Sequence, residues 1–202
     1  MSSRDDILRA VGANKPSSVP LPEISTFDAP GGRLITLFTE AIQSIGGQVE
    51  EVDTREDVAS LLTARYPDAM VVASLLPEMN GTVALDGIQD PHELADLDVL
   101  VCEGEIGVAE NGAIWLPESA VGHRAAPFIT QHLAVVLDKR QIVWNMHDAY
   151  ARVQVDAEGF GVFVAGPSKT ADIEQSLVIG AHGPRSLTVF LVGSSAESKG
   201  RS

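Results

Sequence analysis

Residues 160–192 constrain this chain more than any other stretch: F-G-V-F-V-A-G-P-S-K-T-A-D-I-E-Q-S-L-V-I-G-A-H-G-P-R-S-L-T-V-F-L-V. The Val- and Phe-rich run at 161–165 predicts a buried strand. Gly166-Pro167-Ser168 breaks that run, and Ile173, Leu177 and Val178 recur at helical spacing over 171–179. Gly180 or Gly183-Pro184 stops the helix, and 187–192 reads as a second strand. Strand, tight turn, helix and strand in this order predict a βαβ unit, hence a parallel sheet with a right-handed crossover. In open α/β sheets ligands sit beyond the carboxyl ends of strands, so the turn at 166–174 is the expected ligand position. Gly166 permits close backbone approach, Ser168 and Thr170 offer hydroxyls and caps, and Lys169 supplies a positive charge. Free amides in the first helical turn favour a carboxylate or phosphate. Asp172 and Glu174 add two carboxylates there, which either complement the helix dipole or face the ligand.

The remaining chain alternates in the same way. Ser3 caps a short helix carrying Ile7, Leu8 and Val11, which docks on the domain or on another subunit. Four prolines between 12 and 32 predict an extended arm. Residues 33–45 form an amphipathic helix, 48–52 a strand, 54–66 a second helix and 69–73 another strand. Strands are also expected up to 101 and over 133–137, and a helix over 141–153. Helix and strand in alternation predict an α/β fold with a mostly parallel sheet flanked by helices. The expected organisation is an N-terminal helix and Pro-rich arm (1–32), an α/β domain (33–193) and a flexible tail (194–202).

A second notable segment, 102–116, holds Asn111-Gly112 between two apolar runs, the signature of a strand–turn–strand. Glu103 and Glu105 share a face if the chain is extended, as a solvated strand end would. Glu110, beside the tight turn, is the carboxylate placed to act as base, nucleophile or ligand group. Arg124 is a candidate for a bidentate grip on a carboxylate. His123, His132, His147 and His182 are too widely separated to suggest a metal site, and His182 is the candidate for proton transfer near neutral pH.

Composition narrows the partners. A net charge of −14 argues against nucleic acid and anionic membranes, which need a basic footprint. Cys102 is the single cysteine, so neither an intramolecular disulfide nor a four-cysteine iron–sulfur site can form. Its apolar setting reads as core. The first residues carry no signal-peptide pattern and no run is long enough to span a membrane, so a cytoplasmic location is expected.

Two blocks together, V-A-E-N-G-A-I-W-L (108–116) and G-P-S-K-T-A-D-I-E…G-A-H-G-P (166–184), resemble the LUD-domain proteins, and among these the lactate-utilisation protein C type. Asn111 and Ala113 stand where the family's first block usually carries threonines. The resemblance implies the fold shared by CoA transferases, ribose-5-phosphate isomerase and formyltetrahydrofolate cyclo-ligase. It also implies a part in oxidising L-lactate to pyruvate alongside iron–sulfur partner proteins, with no cofactor bound by this chain. The motif residues it groups near one pocket are Glu110, Ser168, Lys169, Thr170, Asp172, Glu174 and His182. Two other readings stand beside it: a stand-alone enzyme of the same fold, of acyl-CoA transferase or phosphosugar isomerase type, and a purely structural or regulatory module. No spacing in the chain identifies a reaction.

Overall fold

The computed structural model describes residues 3–20, 22, 31–154, 156, 159–169, 178–180 and 182–193. Among these, helix α1 (Ser3–Ala13) stands at the start and buries no residue. Helix α2 (Leu34–Ser44) follows the predicted stripe, with Phe38 and Ile42 fully buried. Burial of each such side chain contributes about 1.5–3 kcal/mol. Gly46-Gly47 ends the helix and turns the chain into strand β1 (Gln48–Val52). Helix α3 (Glu56–Arg65) and strand β2 (Val72–Ser74) complete the first alternation.

Strand β3 (Val99–Gly104) runs almost without a break into β4 (Ile106–Val108), which pairs antiparallel with β5 (Ile114–Pro117) around the Asn111-Gly112 turn. Short helices α4 (Glu118–Val121) and α5 (Ala126–Ile129) lead to strand β6 (His132–Asp138). A 3-10 turn, strand β7 (Ile142–Val143) and helix α6 (Met146–Tyr150) come next, then strands β8 (Gly161–Val164) and β9 (Ser186–Val192). The helix expected over 141–153 is thus confined to its second half. Ile142 and Val143 leave the helical pattern because β7 pairs in parallel with β4 and both residues are buried there.

The strands form two sheets. Five are parallel in the order β1-β9-β6-β3-β2, and four form a mixed sheet in the order β7-β4-β5-β8. In β6, Leu133, Val135 and Leu137 enter one apolar cluster with Phe38 and Ile42 of α2 and Ile114 and Leu116 of β5. The intervening Ala134 and Val136 enter another with Val58 and Leu62 of α3. A strand buried on both faces reads as a continuous apolar run, as this one does. The mixed sheet packs its far face, Val108, Trp115 and Val143, against Ala149 of α6.

This topology corrects the predicted βαβ unit. β8 and β9 lie in different sheets, and β8 pairs antiparallel with β5. The cause is a contact between distant segments: Trp115 of β5 packs on Phe163, with ring centroids 4.9 Å apart, and its indole covers Gly161, where no side chain would fit. The helix predicted over 171–179 lies outside the described residues except for Val178 and Ile179, and the tail at 194–202 lies outside them entirely.

The β2 edge of the parallel sheet is closed to a further strand, and the β1 edge is bordered by charged pairs. At β2, the Thr82 amide donates to Val72 O (2.7 Å), its hydroxyl oxygen accepts from the Val72 amide (2.8 Å), and Ala73 bridges Val83. At β1, Lys139 Nζ donates to Glu51 (2.6 Å), and Arg65 reaches across to Glu50 and Gln48.

Close packing between the sheets gives a test. A Cβ on Gly107 of β4 would stand 2.6 Å from Leu137 Cδ2 and 3.1 Å from Phe38 Cε2, whereas Gly31 has no neighbour within 4 Å. Gly107→Ala is expected to lower unfolding stability in urea by about 1–3 kcal/mol through overpacking. Gly31→Ala should stay within about 0.5 kcal/mol of the parent.

Candidate functional site

The two halves of the 166–184 motif are zipped together. Gly166 ends β8 with φ +74°, and a Cβ there would stand 3.0 Å from both Ile45 O and Ile45 Cγ1, so glycine is required on two counts. Pro167 then lies beside Gly46. The Ser168 amide donates to Pro184 O (2.8 Å), the Gly180 amide donates to Ser168 O (2.9 Å), and Lys169 bridges Ile179 in antiparallel fashion. Gly183 fits only because it lacks a side chain, since a Cβ would come within 2.9 Å of Ser168 Cβ. Lys169 and His182 are both exposed on this clasp, and Ser168 is half-buried. Thr170, Asp172 and Glu174 lie outside the described residues.

The clasp stands at the amino end of the parallel sheet. Pro184 and Arg185 immediately precede β9, and the Arg185 amide donates to the carbonyl of Gln131, the residue before β6 (2.8 Å). The expected place at the carboxyl end of a parallel strand is therefore corrected. The turn does follow the carboxyl end of β8, but β8 belongs to the mixed sheet.

Glu110 comes from the other block. Gly112 closes the turn by donating to Val108 O, and the Asn111 side chain accepts from the Ala113 amide at 2.9 Å. Ile114 opposes Val164, so this turn and Gly166 lie at the same end of the β5–β8 ladder. Both press on α2 and its C-terminal residue: Gly112 against Ile42, Gly166 against Ile45. Two blocks more than fifty residues apart thus meet on one helix. The Glu110 carboxylate itself is exposed and accepts from the Met146 amide at the start of α6 (3.2 Å). Among the described residues, no hydrogen bond or ion pair joins it to Lys169 or His182.

Arg124 is not part of this grouping. Its guanidinium holds Glu118 in a fork, Nε at 2.6 Å and Nη2 at 2.8 Å, and lies 5.2 Å over the ring of Phe160. Phe160 precedes β8, so Arg124 stands at the opposite end of that strand from Gly166. The carboxylate it grips is internal, and the pairing holds the Glu118 carboxyl below its ordinary range.

Two features escaped the sequence reading. At the amino end, Tyr66 stacks on His132 with centroids 4.4 Å apart. The Tyr66 hydroxyl shares hydrogen bonds with Ser186 (3.1 Å) and Thr188 (3.0 Å), and His132 Nδ1 meets Ser186 Oγ at 2.8 Å. The pair lines a cleft of about 380 Å³ with Arg65 and Asp98. Asp98 accepts from the amides of Val71 and Met70, which hold its carboxyl below the ordinary value. No spacing in the sequence links these residues: the β6–β9 register sets His132 opposite Ser186, and Tyr66, at the end of α3, reaches both by packing across the sheet.

At the other end of the sheet, an open cleft of about 420 Å³ lies beyond the carboxyl ends of β3 and β6, lined by Glu103, Glu105, Ser119, Asp138 and Gln141. This is where an open parallel sheet places ligands. Glu103 pairs with Arg55, and Asp138 with Arg140. The i, i+2 spacing of Glu103 and Glu105 was the available signal, and both carboxylates line the one cleft. Cys102, next to it in sequence, is fully buried, and burial pushes its thiol up to about 12, so it is core and not a nucleophile. Among the described residues, no group of three or more His, Cys, Asp or Glu is placed to hold a metal ion, and no helix is long and apolar enough to cross a membrane.

Comparison with known proteins matches residues 79–192 to the LUD domain. Lactate utilization protein C of Deinococcus radiodurans is 28% identical over 198 residues, covering 93% of this chain and 92% of the relative. Lactate utilization protein C of Geobacillus sp. (strain WCH70) is 32% identical over 203 residues, covering 94% and 79%. The crystal structure of a DUF162 family protein from Deinococcus radiodurans superposes with a TM-score of 0.61 at 18% identity, over 80% of this chain and 97% of that one. That likeness bears out the α/β fold.

The His132 cluster carries a pH prediction. Burial first, then the charge of Arg185, lower the imidazole below its ordinary value, while Asp98 pulls the other way. With the folded value below the unfolded one, the neutral ring contributes stability that is complete above about pH 6.5 and is lost as pH falls through the folded value. Urea midpoints measured from about pH 7.5 down to 5 should therefore fall, and His132→Asn should flatten that fall. An unchanged slope in the variant would show that other groups set it.

Proposed function

The chain belongs to the LUD domain family, and from that premise we propose that it serves lactate utilisation as a non-redox subunit that binds a small anion at the Gly166–Lys169 clasp. The names and near full-length similarity of its relatives support the pathway. The observation that carries the ligand class is Lys169: it is exposed on a hydrogen-bonded clasp and has no ion-pair partner among the described residues. His182 stands exposed on the facing arm, and Arg185 follows it in the same segment just before β9. A carboxylate or phosphate would gain charge-assisted hydrogen bonds there. Thr170, Asp172 and Glu174, with the amides beyond Ser168, complete the proposed site. Glu110 supports it from the neighbouring turn, capping α6 through the Met146 amide. Electron transfer belongs in this reading to iron–sulfur partner proteins, because a single buried cysteine equips this chain poorly for a cluster.

The carboxyl-end cleft favours a second reading, a stand-alone enzyme of the same fold. Glu105, exposed in that cleft, is then a better reacting carboxylate than Glu110. Acyl-CoA exchange or sugar-phosphate isomerisation by the purified chain, abolished by Glu105→Gln, would establish it.

Calorimetric titration of the purified chain with L-lactate, pyruvate and inorganic phosphate tests the first reading. One of these anions should bind, and Lys169→Ala should weaken it about 10- to 100-fold, the worth of one charge-assisted contact. The same variant should impair growth on lactate and leave the recovery of iron–sulfur partners from lactate-grown cells unchanged. Binding and growth unaffected by Lys169→Ala would remove the clasp from the function.

A further inference from the structure

Strand β8 ends the mixed sheet, and its outer edge is open. The Glu118 amide donates to Phe160 O at 3.0 Å, which fixes the alternation along the β5–β8 ladder. Phe160, Val162 and Val164 therefore turn their backbone groups towards β5, and Gly161, Phe163 and Ala165 turn theirs outward. Among the described residues, no hydrogen bond reaches the outward amides and carbonyls of those three. This edge also lacks the devices that guard the parallel sheet. Neither a charged residue nor a proline stands between Gly161 and Ala165, whereas β1 is bordered by ion pairs and β2 is covered by Thr82. The Val and Phe side chains of β8 stay half-buried, and Ala165 is exposed.

The composition of the edge selects what fits it. Gly161-Val162-Phe163-Val164-Ala165 is symmetric in size about Phe163: small, Val, Phe, Val, small. Laid antiparallel on a second copy about a two-fold axis at Phe163, each Phe163 faces the other, each Val162 a Val164 and each Gly161 an Ala165. Because Phe163 points its backbone groups outward, the facing pair is a hydrogen-bonded one. The Gly161 position discriminates further. The Trp115 indole fills the space where its side chain would stand, so a strand laid beside it must present a small residue on that face, and Ala165 is one. On the same face Phe163 already meets Trp115 at 4.9 Å and Tyr150 at 5.4 Å, and Tyr150 is 61% exposed. The facing phenylalanines continue that aromatic row across the axis. Every facing pair is uncharged, which lets a chain of net charge −14 meet itself here without placing like charges together.

We propose that β8 pairs antiparallel with β8 of a second copy of this chain, joining the two four-stranded sheets into one across a two-fold axis. The contact uses the same strand on both sides, so it closes on itself and consumes the open edge of each copy. It does not rest on the ligand reading above, since no side chain of the clasp takes part.

Sedimentation equilibrium of the full chain, with hydrogen exchange read amide by amide, tests it. The expected result is a dimer that tightens as salt rises, because the paired edges are neutral and the acidic copies repel each other. In that dimer the amides of Gly161, Phe163 and Ala165 exchange slowly. Ala165→Pro removes one outward donor from each copy and no bond within the chain. It should weaken the dimer about 10- to 100-fold with an unchanged circular dichroism spectrum. Ala165→Glu keeps the donor and should also weaken the dimer, by pressing bulk and charge on Trp115 of the second copy. A monomeric full chain overturns the proposal, as does a dimer that survives both substitutions. A dimer in which the Phe163 amide exchanges as fast as an exposed one would overturn it too, by placing the contact elsewhere.

Discussion

Strand β9 holds this molecule together. It lies between β1 and β6, so Thr188 faces Gln48 on one side and Ala134 on the other, and Val189 faces Val49 and Val135. Leu187, Val189 and Leu191 fill the cluster beneath α2, while Phe190 fills the one beneath α3. Remove those side chains and β1, which pairs with β9, loses its attachment to the sheet, while α2 and α3 lose part of the apolar surface they share with β6. The clasp follows from the same insertion. Arg185 is tied to Gln131 only because β9 enters the sheet beside β6.

Much of this was legible beforehand where local pattern decides the outcome. The α2 stripe, the β1 run and the Asn111-Gly112 hairpin all form near their expected bounds, because each is set by periodicity or by turn chemistry. What local pattern does not carry is sheet membership. The run at 161–164 reads equally well as a neighbour of β9 or of β5, and the contact that decides is Trp115 lying over Gly161, more than forty residues away. The short β7 was lost for a similar reason: Ile142 and Val143 continue a helical stripe in one dimension but are captured by β4 in three.

The candidate site divides along the same line. Gly166, Ser168, Lys169 and His182 were identifiable as a group because their residue types and spacing form a distinctive string, and the clasp does bring both ends of that string together. Arg124 was proposed on chemistry alone, and its chemistry is met by Glu118 six residues away. Tyr66, His132, Ser186 and Thr188 form a hydroxyl and aromatic cluster with no sequence signature, since their proximity rests on the pairing of β6 with β9 and the packing of α3 across both. The molecule therefore carries polar equipment at both ends of its sheet, cationic on the clasp and carboxylate-lined beyond β3 and β6.

The guarded sheet edges bear on how such a chain behaves at high concentration. A three-residue edge strand whose outer groups are already satisfied by Thr82 and Val83 offers no template to an incoming peptide. The far edge, bordered by Glu50, Glu51 and their basic partners, would force charge into any strand laid against it. Growth by strand addition, the route that leads from a folded β-protein to a fibre, is closed at β2 and opposed by charge at β1.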